Sequence, residues 1–547
     1  MALAHAAVHA QAAATHVAGT AHVPAPTHVP DSALTQAAAF AQHVDWSPLG
    51  PVLVPAALAV AVLVADLFLP PARKVLLGWI TAAGLLAAAL TLIPLRGGPS
   101  ATFCQTRSQS PHTADCSYVT DHFTLAIQAL VLGGALLTTL LSISTLDEMP
   151  AGEYWFLLLS SVTGAALLPA SRDLATLIVA LEVTTLPAFA LVGLRRDDKH
   201  SGEAALKFFL TSVTATAVAL LGVSFVYGAS GTLYLTQIGS ALPLTDAGPL
   251  STVAHVGMAL TIVGFAFKLA VAPFHFWVPD TYAGAPLPIA AYLSVVGKAA
   301  GFSGLILLVV VAFRPYAHTW GPAIAVLAAL TMTVGNVGAL RQRPDVPRGA
   351  VRLLAWSSIG QAGYLLVPMA AAASTDEPAH EIGTTVAYAL MYAVVNLGAF
   401  AVVALVERTA PLSRLTDYRA LHARRPAAAL ALAFFLLCLA GLPPGVIGLF
   451  AKVAVFSTAV GTQHGWLAVV MAVNVVIALV YYLRWTALLF ARAPEPAPAA
   501  AGETVVEAAV ARTPFALGAA VALTAAAGLA LSGAPQLVLR FAQGSLL

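Results

Sequence analysis

Fourteen apolar runs, each about long enough to cross a lipid bilayer, follow one another along this chain. A crossing needs roughly 20 apolar residues. The runs lie near 49–69, 75–95, 122–146, 154–170, 173–194, 203–228, 252–272, 287–313, 319–340, 350–373, 384–406, 426–460, 466–490 and 514–533. They are continuous rather than alternating in polarity, so they predict helices that satisfy their own backbone inside lipid. Only 9% of the residues are charged and 59% are hydrophobic, whereas a soluble domain carries roughly 25% charged residues. The expected fold is therefore an all-α polytopic membrane protein of about fourteen transmembrane helices. A net charge of +2 gives no sign of nucleic acid as a partner. Three cysteines without a CxxC pair, and the absence of a Gly-rich phosphate loop, point away from Fe–S, zinc and nucleotide sites.

Residues 1–48 form an Ala/His-rich extension. The irregular spacing of His5, His9, His16, His22, His28 and His43 does not make a metal site, and no basic residue precedes an apolar core as in a signal peptide. The remainder divides into helices one to three (49–146), a five-helix repeat (154–313), a second, inverted repeat (319–490), and a loop with helix fourteen (491–547). Alternate loops hold sixteen Lys and Arg against five on the other side. The positive-inside rule makes the richer set cytoplasmic and puts both termini outside. Cys104 and Cys116 then share an external loop, where a disulfide is permitted and two free thiols are the alternative. Cys438 reads as a small core residue.

Five basic residues fall inside predicted spans: Lys207, Lys268, Lys298, Lys452 and Arg484. A charge at the bilayer centre costs at least ~2.5 kcal/mol, so the lysines should face the protein interior. Glu182 in span five is the clearest counter-charge, with Lys207 on span six as its expected partner. One carboxylate cannot pair statically with four lysines. A proton relay uses them better, because burial favours the neutral amine and a nearby carboxylate favours the ammonium. The alternative is a set of fixed ion pairs that hold helices together.

Spans seven and twelve each break at proline beside a lysine: FKLAVAPFHFWVPD starts at Phe267, and GLPPG precedes Lys452. Broken helices persist in membranes where they line a cavity. The two breaks lie five spans apart, an odd number, as inverted five-helix repeats would place them. His275 at the first break reads as a group that hydrogen-bonds freed backbone, with proton carriage as the second reading. Asp280 is expected to cap the next helix. Tyr388, Tyr392 and Asn396 recur at helical spacing on span eleven and line either a polar axis or a static hydrogen-bond network. Asp66 and Arg484 lie near cytoplasmic ends, where long side chains snorkel.

PFHFWVPDTYAGAPLP, SVVGKAAGF, LAWSSIGQAGYLL, NLGAF and CLAGLPPGVIGLFAKVAVF occur in that order, after FFLTSVTATAVALLGVSFVYGASGTLYL. Over about residues 50–535 the chain resembles the N-subunit family of respiratory complex I, the bacterial NADH–quinone oxidoreductase. The proline-break motif is also found in the L and M subunits and in multisubunit cation/proton antiporters. The GAP after Tyr282, Lys298, and Lys452 in place of a glutamate favour the N type, as does an end after span fourteen without a lateral helix. The resemblance implies two inverted half-channels, with Glu182 pairing with a lysine on span six or seven and communicating with a neighbouring subunit. Lys207 and Lys268 would serve the cytoplasmic half, Lys298 the centre and Lys452 the exit half. It also implies no cofactor in this chain, with FMN, Fe–S clusters and the NADH site in partner subunits. The partners would be the antiporter-like M subunit and small K/J/A-type subunits, in the bacterial cell membrane. The alternative is a subunit of a multisubunit cation/proton antiporter. Moving one charge against 100 mV costs ~2.3 kcal/mol, so either reading needs an outside source of energy.

Overall fold

A computed structural model of the chain describes residues 44–104, 116–145, 149–195, 197–245, 248–492 and 513–542. The histidine-bearing extension to His43, and the loop residues Arg107, Arg196 and Arg512 counted for orientation, lie outside the described residues. The helices in chain order are α1 (Gly50–Asp66), α2 (Val75–Leu90), α3 (His122–Ile143), α4 (Ala151–Leu167), α5 (Leu174–Val192), α6 (Lys199–Ser230), α7 (Leu235–Thr245), α8 (Ser251–Lys268), α9 (Val278–Gly284), α10 (Leu287–Tyr292), α11 (Lys298–Leu307), α12 (Ala317–Leu340), α13 (Gly349–Ala371), α14 (Ala379–Glu407), α15 (Leu421–Arg424), α16 (Pro426–Ala440), α17 (Val446–Gly461), α18 (Gly465–Phe490), α19 (Phe515–Gly533) and α20 (Gln536–Leu539).

Among the described residues, twelve helical stretches are long and apolar enough to cross a membrane. The remaining two of the fourteen expected crossings are less regular. One is α13, which is less apolar than those twelve yet buries all but Arg352 and Trp356 of its 23 residues. The other is the broken pair of α16 and α17, which are 15 and 16 residues long. The core of the bundle is the stretch Leu287–Ala312 together with α14. Their apolar windows are 83% and 89% buried, against 28% for α19. These central helices carry Lys298 and the Tyr388, Tyr392, Asn396 series.

Helix starts follow side-chain capping. Asp121 accepts from the Thr124 N–H before α3, and Asp173 accepts from the Thr176 N–H before α5, each at 2.8 Å. Close crossings rest on glycine. A Cβ on Gly335 of α12 would sit 2.2 Å from the Gly360 nitrogen of α13.

The expectation of an all-helical chain missed one small element. Strands β1 (Ser100–Cys104) and β2 (Cys116–Thr120) form an antiparallel hairpin, with Cys104 opposite Cys116. These two cysteines are joined by a disulfide in the structure. The Tyr118 hydroxyl fastens the hairpin to the bundle by donating to the Pro48 carbonyl at 2.9 Å. Burial pushes that hydroxyl up to about 12, so it keeps its proton at physiological pH. Below it, Arg172 pairs with Asp121 at 2.5 Å.

Candidate functional site

Lys268 is the last residue of α8, and the chain beyond it turns through Ala270 in a left-handed conformation (φ 58°) and a cis Ala272–Pro273 bond before α9 begins. Its buried ammonium donates to Ser212 Oγ at 2.6 Å, Glu182 Oε1 at 3.3 Å and Thr185 Oγ1 at 3.4 Å. Glu182 in turn accepts from the Thr216 hydroxyl at 2.7 Å. The carboxylate of span five therefore pairs with the lysine of span seven, and the expected Glu182–Lys207 pair does not form. Lys207 binds Glu203 at 2.7 Å and Asp280 at 3.1 Å instead, and its side chain is 47% exposed, so it is not one of the buried lysines. Helix geometry gives the reason: Lys207 and Ser212 are five residues apart on α6, about 140° around its axis. Asp280 is also corrected. It lies inside the first turn of α9 rather than at a cap, and its carboxylate joins Lys207 to Arg352 at 3.0 Å.

Lys298 follows a π-helical turn, Leu293–Gly297, that interrupts the helix of span eight. Such turns re-aim side chains inside α-helices. Its buried ammonium donates to the Ser358 carbonyl and, at 3.0 Å, to Ser358 Oγ. Gly301, one turn on, packs against the Lys268 segment: a Cβ there would lie 2.8 Å from Leu269 Cδ2 and 4.0 Å from Lys268 Cβ. The first two lysines are thus brought to adjoining helix surfaces.

Lys452 projects from α17 back onto the end of α16, donating to the Leu439 carbonyl at 2.9 Å and the Ala440 carbonyl at 2.7 Å. Helix C-termini leave carbonyls without partners and carry partial negative charge. The GLPPG break, with Gly441 left-handed (φ 84°), thus builds a cation seat within a span. The ammonium also lies 5.6 Å above the Tyr364 ring. Among the described residues, Lys298 and Lys452 have only neutral oxygen acceptors, while Lys268 has a carboxylate.

Side chains of α13, α14 and α18 fill the space between these two lysines. The Tyr392 hydroxyl is buried on the same helix face without a hydrogen-bond partner among the described residues. Asn396 donates to Ser294 Oγ at 2.8 Å. The Tyr388 hydroxyl donates to Gln361 Oε1 at 2.5 Å, and Gln361 Nε2 donates to the Tyr482 hydroxyl at 3.3 Å. A cavity of about 20 Å³ lies between Gln361, Tyr388, Tyr392, Cys438 and Lys452. That is room for about one water, with Gln361, Tyr388, Tyr392 and Lys452 as the polar groups in a lining that also includes Met391, Val395, Leu439 and Ala451. His275 is apart from this chain. It is half-buried on the break, with its ring 5.7 Å from Trp356, and none of the lysine hydrogen bonds goes to it.

Ser212, Thr216, Ser358, Gln361 and Tyr364 were not singled out from the sequence. Ser357, Gln361 and Tyr364 stand four and three residues apart in LAWSSIGQAGYLL, a polar stripe on a buried span, which is the signal for them. Replacing Tyr388 by Phe removes one hydrogen bond from the middle of the chain and keeps the ring. The buried Gln361 Oε1 loses its donor, so stability should fall by about 1–3 kcal/mol, read as the melting temperature of the complex, and proton flux at matched electron flux shows whether the site also carries protons.

The site coincides with a known family. The family model described as "NADH:quinone oxidoreductase/Mrp antiporter, TM" matches residues 171–478, which contain every candidate relay residue. NADH-quinone oxidoreductase subunit N 2 of Streptomyces griseus is 67% identical over 516 residues, 93% of this chain and 95% of that protein. Subunit N of Salinispora tropica is 45% identical over 465 residues, 82% and 86% of the two chains. Among solved structures, a chain of respiratory complex I from Thermus thermophilus with bound aureothin aligns with a TM-score of 0.69 at 31% identity, over 90% of this chain and 98% of that one. A chain of the Mrp complex from a Dietzia species has a TM-score of 0.76 at 22% identity, over 91% and 96% of the two chains, a likeness of fold.

Proposed function

The chain belongs to the subunit N family of NADH-quinone oxidoreductase, within the NADH:quinone oxidoreductase/Mrp antiporter transmembrane family, and from that membership we propose that it carries protons across the membrane along Glu182, Lys268, Lys298 and Lys452. One observation carries the proposal. Three buried lysines occupy three interrupted helices, only the first has a carboxylate among the described residues, and polar side chains of α13 and α14 stand beside each of the other two, Ser358 at Lys298 and Gln361, Tyr388 and Tyr392 around the cavity at Lys452. Static pairing leaves Lys298 and Lys452 without a counter-charge, whereas a relay uses their difference from Lys268.

Lys268 holds its proton while Glu182 stays close. When the carboxylate swings away, the buried ammonium loses its support and the neighbouring Lys298 becomes the acceptor. Two ammoniums on adjoining helices disfavour one another, so a proton arriving at Lys298 presses the next transfer through Ser358, Tyr392 and the small cavity to Lys452. Lys207, exposed among carboxylates, serves the mouth of the path rather than its interior.

The driving energy comes from electron transfer in partner subunits, which hold the FMN, the Fe–S clusters and the NADH site. The antiporter-like M subunit and the small K/J/A-type subunits are the membrane neighbours. The bacterial cell membrane is the location, with both termini outside. Two independent features support that orientation: the arginine-rich loops lie on one side, and the disulfide hairpin lies in a loop of the other, where an oxidising exterior preserves it. The reading as a subunit of a secondary cation/proton antiporter rests on the shared transmembrane family and a fold likeness at 22% identity, against relatives named as subunit N at 67% and 45% identity.

Purification in mild detergent through a tag on this chain tests the assignment. NADH-driven quinone reduction should co-purify with flavin and Fe–S subunits. In that complex, Lys268→Met should lower the protons moved per electron, and an unchanged ratio would remove Lys268 from the path.

A further inference from the structure

At the end of the bundle where α6 begins, a cleft of about 590 Å³ opens between α6, α9 and the start of α13. Its charged walls neutralise themselves. Lys207 is shared by Glu203 and Asp280, Arg352 binds the other oxygen of Asp280, and Arg348 lies 3.5 Å from Asp198. Asp280 is the one carboxylate among these held by cations from two different helices, α6 and α13.

Behind this cluster lies an aromatic wall. Trp277, three residues before Asp280, stacks on Phe208 of α6 with ring centroids 4.5 Å apart and planes 14° from parallel. Its indole N–H donates at 3.2 Å to the carbonyl of Phe267, the residue next to Lys268. Phe208 packs edge-on against Phe189, whose ring lies 6.0 Å from the Lys268 ammonium. The Phe208–Trp277 pair therefore follows Lys207 of the cleft on α6 and reaches the surroundings of Lys268 through Phe189 and the Phe267 carbonyl.

We propose that Asp280 is a positioning residue, a latch that holds α9 between α6 and α13 and so keeps Trp277 seated on Phe208 as a gate between the cleft and Lys268. The latch suits opening. Its members are 47%, 39% and 36% exposed, and exposed ion pairs contribute little to stability and exchange partners readily. The segment it controls is held by isolated turn bonds rather than a continuous helical ladder, among them Val271 N–H to the Ala266 carbonyl at 3.0 Å, Ala272 N–H to Thr331 Oγ1 at 3.0 Å and Val278 N–H to the His275 carbonyl at 3.1 Å. The proposal rests on the reading of Lys268 as part of the proton path, since only then does access to it matter. The gate itself is measurable without that reading.

Hydrogen exchange of backbone amides 269–278 in the intact complex is the test. Asp280→Asn should speed exchange there about fivefold and leave α14 unchanged, with Asp280→Glu restoring most of the protection. Arg352→Gln, which removes one of the two ties, should give a smaller increase and stands in if the asparagine variant does not assemble. Equal exchange in wild type and both variants, or equal behaviour of the Asn and Glu variants, overturns the latch. If Lys268→Met leaves pumping unchanged while these exchange differences appear, the gate stands and the proton-path reading fails.

Discussion

Lys298→Met is expected to leave an assembled complex that oxidises NADH but moves fewer protons per electron, with transfer through this chain slowed at least about tenfold. The substitution is clean on physical grounds. Among the described residues, Lys298 is bound only to the carbonyl and hydroxyl of Ser358. The Ser358 hydroxyl already donates to the Ala355 carbonyl at 2.9 Å, so removing the ammonium strands no buried donor. Methionine fills most of the volume, and replacing a buried charge by an apolar side chain is often neutral for stability. Lys268→Met is less clean, because it leaves Glu182 without its cation. Proton-to-electron ratios in proteoliposomes decide the matter, and a wild-type ratio for the Lys298→Met complex would exclude Lys298 from the relay.

Gly448→Ala should reduce the amount of intact complex several-fold, the largest structural effect expected from a single methyl group here. A Cβ at Gly448 would lie 1.7 Å from the Cys438 carbonyl oxygen, so the two halves of span twelve would have to separate. Overpacking typically costs about 1–3 kcal/mol, and a backbone atom cannot turn aside as a side chain does. The same displacement would draw Lys452 from the Leu439 and Ala440 carbonyls. Gly461→Ala, on the same helix with open space around it, is the control and should assemble normally. The quantity of complex on native gels gives the comparison, and equal amounts for the two variants would contradict the packing described.

What was legible in the sequence follows from what burial imposes on composition. Among the described residues, twelve helices long and apolar enough to cross, the breaks beside Lys268 and Lys452, and the burial of Lys298 stand where hydropathy and proline place them. Partner choice was legible only as far as a lysine on span six or seven, because the rest depends on rotation about helix axes. Lys207 shares a helix with Ser212 yet points to another face, so the ion pair of Glu182 went to Lys268. The hairpin was hidden for a different reason. Its strands are five residues each in a connecting loop, and their register is fixed by the Cys104–Cys116 bond rather than by an apolar face. Tyr388 and Asn396 were found at helical spacing on α14, but their partners Gln361 and Ser294 lie on other helices.

The π-turn before Lys298 makes the centre of the path a matter of counting. A turn closed by i→i+5 bonds holds an extra residue compared with the α-turn it replaces, and each residue in a helix advances the chain by about 100°. Deleting one residue within Leu293–Gly297 would restore a regular helix and swing Lys298 away from Ser358 by that angle, with every apolar contact still chemically available. Exchanges of one apolar residue for another in this segment disturb only packing. A gene encoding this span can therefore drift in its letters far more freely than in its length, because the lysine is aimed by the number of residues that precede it.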